Sequence, residues 1–156
     1  MTNVWILALL IGVVCGLRSM TAPAVVCWGA HLGWLSLAGT PLAFLAHPVP
    51  LVLFTIFAVG ELIADKLPVI PARTQIGPLV VRILFGAISG AGLAVSGHAV
   101  LGVGGIMGAV GAVIGAYAGY AYRRAANGSG KLPDLPVAFL EDLIAVGGGF
   151  FLVSRF

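Results

Sequence analysis

Charge is what this sequence has least of: eight Lys and Arg and five Asp and Glu in 156 residues, 8% of the chain against roughly 25% in an ordinary soluble domain. So few ionised groups cannot solvate the surface of a soluble fold, which excludes a water-facing enzyme. Cysteine is nearly absent as well. Cys15 and Cys27 each lie among apolar residues, in neither a Cys-x-x-Cys nor a Cys/His spacing, so they read as small hydrophobes and exclude a disulfide framework or an ordinary zinc site. His31, His47 and His98 fall at unrelated positions with no His-Glu spacing, and there is no P-loop; no cofactor and no metal are expected. A basic stripe is also missing. The net charge is +3 and the pI about 9.2, yet the cations are scattered singly or in pairs, which sets aside nucleic acid as a partner.

What fills the space is hydrocarbon. Hydrophobic residues make up 60% of the chain and the mean hydropathy is +1.13, the composition of an integral membrane protein whose expected partners are membrane lipids. The length suits a single integral membrane domain over 1–156, too short for a bundle plus a soluble catalytic module. Met1 to Leu17 lacks the charged leading region of a signal peptide and reads as a retained helix.

A helix crosses the bilayer core with about 20 mostly apolar residues, and about 17 is a minimum. Val4 to Leu17, Val49 to Ala64, Gly77 to Gly97, Ala99 to Tyr122 and Pro136 to Val153 meet or approach this. Ala24 to Ala38 is a weaker segment, interrupted by His31 and Ser36 and bounded by Pro23 and Pro41. The fold class is therefore all-α, a polytopic transmembrane helix bundle. The positive-inside rule favours six spans, because Arg18, Lys66, Arg73, Arg123, Arg124 and Lys131 then share the cytoplasmic loops and both termini lie outside. The count is five if Ala24 to Ala38 is interfacial or re-entrant. Gly104, Gly108, Gly111, Gly115 and Gly119 recur at three or four residues on one face of the fifth span. That face predicts close helix packing within the chain, with a homo-oligomer seam as the alternative.

Ionisable groups in hydrocarbon are costly, roughly +2.5 to +3.5 kcal/mol at a helix centre, so each needs a reason. Glu61 and Asp65 are four apart and share a face. Glu141 and Asp142 lie just inside Pro136, and Arg82 lies inside the fourth span. With Arg18 and Arg73, these seven residues are the candidate substrate or ion pathway on the cytoplasmic half. Structural ion pairing between helices is the bland reading, and Arg82 can also snorkel to the headgroups. Asp65, Lys66, Arg123 and Arg124 read as headgroup-level charges. Between the first two segments, Arg18, Ser19 and Thr21 form a turn that caps the next helix or offers its N–H groups, hydroxyls and guanidinium to an anion; Arg73 and Thr74 complete the same pocket in the second case.

Three blocks in combination, Gly16-Leu17-Arg18-Ser19-Met20-Thr21-Ala22-Pro23-Ala24, Gly60-Glu61-Leu62-Ile63-Ala64-Asp65-Lys66-Leu67-Pro68 with Pro71-Ala72-Arg73-Thr74, and Leu132-Pro133-Asp134-Leu135-Pro136 with Glu141-Asp142, resemble the small bacterial integral-membrane family known as domain of unknown function 4126. The resemblance covers nearly the whole chain. It implies a multi-helix protein, with a bacterial cytoplasmic membrane as its expected location, and brings no activity or site residues with it.

The leading functional expectation is a transporter or channel for a small ion or solute, because intramembrane ionisable residues mark such paths. Glu61-Leu-Ile-Ala-Asp65 and Glu141-Asp-Leu-Ile-Ala145 hint at a duplicated three-helix unit, although an inverted repeat would place the two clusters at opposite ends. The alternatives are a lipid-phosphate-binding enzyme or flippase, and a non-catalytic membrane assembly subunit. No metal-dependent phosphotransfer spacing supports the enzyme.

Overall fold

The computed structural model describes residues 3–67, 74–128 and 133–156. The described residues form six α-helices and a single 3-10 turn, without strands: α1 (Val4–Leu17), α2 (Thr21–His31), the 3-10 turn (Ala43–Ala46), α3 (Pro48–Ala64), α4 (Ile76–Ser96), α5 (Leu101–Gly128) and α6 (Asp134–Val153). Local chemistry accounts for the ends. Asn3 accepts a hydrogen bond from the Trp5 N–H to start α1, and the His47 ring accepts one from the Val49 N–H to start α3, with Pro48 at its first position.

Three helices, α4, α5 and α6, are each long and apolar enough to cross a membrane, and α1 and α3 are shorter apolar helices. The exterior matches: Ile106 is 65% exposed and Leu143 69%, whereas Arg18 is 1% exposed and Glu141 3%. Apolar outside and charged inside is the pattern of a bundle solvated by lipid.

The segment expected at Ala24 to Ala38 departs from a full span. Helix α2 has eleven residues, about 16 Å at 1.5 Å per residue, roughly half of the ~30 Å hydrocarbon. Gly33, at φ +80°, stops it. There the Trp34 N–H donates to the Gly29 carbonyl (2.9 Å) and the Gly33 N–H to the Ala30 carbonyl (3.2 Å), the paired bonds of a Schellman ending. Beyond it the chain continues without regular helix, burying Leu35, Leu37 and Leu45. Antiparallel pairing with α3 is set by Met20 at Glu61 and by Trp28 at Thr55. Apart from Leu35, Leu37 and Leu45, most residues of 32–47 are exposed, so the segment lies along the surface of the bundle and is not enclosed by it.

Helix α1 occupies the centre, packed mainly on α5 and α4, with α6 and α2 on its other sides. The glycine face of α5 serves both neighbours. Gly111 and Gly115 lie against the backbone of α1 around Leu9 and Val13, while Gly104 and Gly108 lie against Gly90 and Gly86 of α4. A Cβ at Gly111 would overlap the Leu9 carbonyl, a backbone atom that cannot yield. By contrast α3 is peripheral. Of its seventeen residues only Leu51 and Ala58 are buried, and its main helical neighbour is α2.

Gly111→Ala should therefore destabilise the detergent-solubilised protein by about 1–3 kcal/mol, the usual cost of overpacking. Gly147→Ala, where nothing lies near the added methyl, should be neutral or stabilise by up to about 1 kcal/mol through helix propensity. Equal melting temperatures for the two variants would show that the α1–α5 contact is not close.

Candidate functional site

At the end of the bundle where α1 finishes and α2 begins, charged side chains from five helices or their caps meet. Arg18 caps α1, so the last turn of that helix aims its guanidinium into the bundle. Its Nη1 pairs with Asp65 Oδ2 at 2.5 Å, and its Nη2 contacts Asp142 Oδ1. Each acid has a second cation. Arg123 of α5 reaches Asp65 through Nη2 at 2.5 Å and Glu141 through Nε at 3.1 Å. Lys66 donates to Asp142 Oδ2 at 2.8 Å and to the Leu62 carbonyl at 2.8 Å, with its ammonium 4.6 Å from the Phe139 ring centre.

Glu61 takes a different kind of partner. Its Oε1 accepts from the Ser19 N–H (2.9 Å) and the Ser19 hydroxyl (2.7 Å), and its Oε2 accepts from the Met20 N–H (2.9 Å). These N–H groups lie immediately before α2, where the helix dipole favours negative charge. The N–H groups of this turn are taken by a carboxylate of the chain itself. Arg82 stands beside it, with Nη2 3.7 Å from Glu61 Oε1. Its other donors bond backbone carbonyls: Nε that of Gly16 at the end of α1, and Nη1 that of Pro78 in the first turn of its own helix, both at 3.1 Å. Arg82 is 8% exposed and does not snorkel outward. Thr21 Oγ, the third group expected in the anion turn, is buried without a hydrogen-bond partner among the described residues.

Glu61, Asp65, Glu141 and Asp142 thus meet Arg18, Lys66, Arg82 and Arg123 in a set of four acids and four bases. Among the described residues of this set the formal charges cancel. A pocket of about 350 Å³ borders this set, lined by Ser19, Glu61, Asp65 and Arg82 together with Ala64, Pro78 and Val81.

Six of the seven candidate pathway residues, Arg18, Glu61, Asp65, Arg82, Glu141 and Asp142, are brought together. Arg73 lies outside the described residues. Lys66 and Arg123, read from sequence as headgroup-level charges, belong to the network. Glu141 and Asp142, adjacent in sequence, diverge to Arg123 and Arg18 respectively.

The chain matches the family described as domain of unknown function DUF4126 over residues 6–154, and it belongs to that family. No curated protein and no solved structure matches it.

Replacing Arg18 by Leu leaves Asp65 and Asp142 facing one another with one cation fewer, and breaking a buried pair costs about 3–5 kcal/mol. Arg124→Leu, at an exposed neighbour, should stay within about 0.5 kcal/mol of wild type. Denaturation in mild detergent followed by helix signal separates the two; an Arg18→Leu protein as stable as wild type would remove Arg18 from the centre of the network.

Proposed function

We propose that this protein is a small membrane transporter or channel whose ion or solute site is the pocket lined by Ser19, Glu61, Asp65 and Arg82. The observation that carries this reading is how α3 is held. Its buried apolar contribution is small, and its C-terminal end is tied to the bundle by Glu61, Asp65 and Lys66, which contact α1, α2, α5 and α6 through ions and hydrogen bonds.

Polar ties exchange partners at little net cost when a new partner is supplied, whereas a packed apolar seam does not. A peripheral helix fastened by such ties beside a pocket is suited to two arrangements, the requirement for gating or alternating access. Glu61 is the group placed to respond, since it faces the pocket and holds the entrance of α2 in the same contacts. The cations gathered at this end support a cytoplasmic side for it, in what we take to be a bacterial cytoplasmic membrane.

A purely structural role in a membrane assembly is the second reading, and the mutual pairing of buried acids and bases from different helices favours it. Lipid-phosphate chemistry at the Arg18–Thr21 turn has less support, because Glu61 already takes the N–H groups a phosphate would need.

The test is uptake of small labelled inorganic ions and organic acids into proteoliposomes, preceded by a thermal-shift screen of the same compounds, in which a binder at 100 times its Kd adds about 2.7 kcal/mol. Wild type should take up at least one compound, and Glu61→Gln, inserted and folded, should lose that uptake and its thermal shift. Equal uptake by both proteins would sink the assignment of Glu61. Uptake and shift absent for every compound would favour the structural role.

A further inference from the structure

The depth of the charged set in the membrane follows from helix lengths. At the far end of the bundle the start of α1, the end of α4 and the end of the chain after α6 lie at one level, since a Cβ at Gly97 would come within 2.6 Å of Val4 and 3.1 Å of Phe156. Asn3, Ser96, His98 and Arg155 flank these ends, and the Ser36 N–H donates to the Ser96 hydroxyl at 3.0 Å. This level is a polar edge of the hydrocarbon. From it to the charges is about 18–21 Å at 1.5 Å per residue, whether counted from Val4 to Leu17 on α1, from Ser96 to Arg82 on α4 or from Val153 to Glu141 on α6.

The hydrocarbon is ~30 Å thick, so about 10 Å of it remains beyond the charges. Helices α4 and α6 continue through that remainder. Their exposed side chains there are apolar, Ile76 and Val80 on α4 and Leu135, Phe139 and Leu140 on α6, the surface that acyl chains cover. Helices α1, α2 and α3 do not continue: α1 ends at Leu17, α2 begins at Thr21 and α3 ends at Ala64. Half of the bundle therefore stops at charged groups inside the hydrocarbon. Those groups are not sealed off, because the side chains of Glu61, Asp65, Lys66, Arg123 and Asp142 keep 12–22% exposure. Acyl chains against a partly bare carboxylate or ammonium are costly, and water against it is not.

We propose that the charged end of the bundle is an aqueous recess about 10 Å deep, bordered by the continuing α4, α5 and α6 and floored by the charged set, through which water and small solutes reach the pocket at Glu61 and Arg82 without any helix moving. The far side is closed, since the packed side chains of Ile11, Val26 and Leu93 lie between the pocket and that end. The recess follows from helix lengths and exposure and stands whether or not the pocket carries a substrate. Under the transport reading it makes this the arrangement open towards the charged end.

Thiol reactivity measures it, because a thiol reacts as the thiolate, which apolar surroundings suppress. The full chain is placed in phosphatidylcholine nanodiscs and treated with a permanently charged methanethiosulfonate. Cys15 and Cys27 are buried, and the parent protein gives the background rate. Ala64→Cys and Val81→Cys, both lining the pocket, should react at least about tenfold faster than Leu143→Cys, which stands next to Asp142 on the exposed side of α6. Ile56→Cys, on the exposed side of α3 and farther from the charges, should be as slow as Leu143→Cys. Either pocket position reacting no faster than Leu143→Cys overturns the proposal, and so does Ile56→Cys reacting as fast as the pocket positions, which would carry water along the whole of α3. Val81→Cys decides alone if Ala64→Cys fails to fold.

Discussion

The Arg18 guanidinium, 1% exposed, joins the end of α1 to Asp65 at the end of α3 and to Asp142 within α6, and through Asp65 it is coupled to Arg123 of α5. Two unit charges 4 Å apart attract by about 4 kcal/mol at an effective dielectric of 20, against about 1 kcal/mol in water. The same environment makes each charge expensive alone. The arrangement is therefore conditional on its pairs being kept: with partners present the desolvation cost is offset, and with one removed its neighbours become liabilities.

The rest of the molecule is organised around that condition. Arg18 can reach both acids because α1 stops at Leu17, and α1 can lie at the centre because its glycines and those of α5 let two backbones come into contact. Helices α1, α4 and α5 form the closely packed part. Helix α3, with little buried apolar surface, depends on the charged end for its position. Two parts of one bundle are thereby held by different physics, a seam of small residues and a set of exchangeable polar ties. The polar side is where low local stability is to be looked for.

Both cavities follow from the same geometry. Helix α2 is only about half as long as the ~30 Å hydrocarbon is thick and supports α3 on one flank and α6 on another, leaving between them an apolar cavity of about 160 Å³ lined by Val25, Ala58 and Val146 among others. Its start is held by Glu61, which borders the charged pocket on a neighbouring face of α3. Glu61 thus joins a backbone feature, the free N–H groups before α2, to a side-chain feature, the neighbouring Arg82.

Membrane residence, the all-helical class and most helix positions were legible in the linear chain, because burial in lipid imposes long apolar runs whatever the partners are. The glycine spacing on α5 was legible for the same kind of reason: a helix places residues three and four apart on one face. Six of the charges at the site could be gathered by asking why an ionised group would be inside hydrocarbon at all. Their pairing could not, since adjacent Glu141 and Asp142 turn to different cations and only packing angles decide which. That Lys66 and Arg123 supply the second cation for these acids was not legible either, because which cation meets which acid depends on helix length and packing, which composition does not encode. The shortness of α2 came down to Gly33, whose left-handed conformation closes the helix only when the following backbone folds back. Glu61's chief partners are backbone N–H groups, present at every residue and so without any sequence signature; tertiary structure alone selects which of them a carboxylate meets.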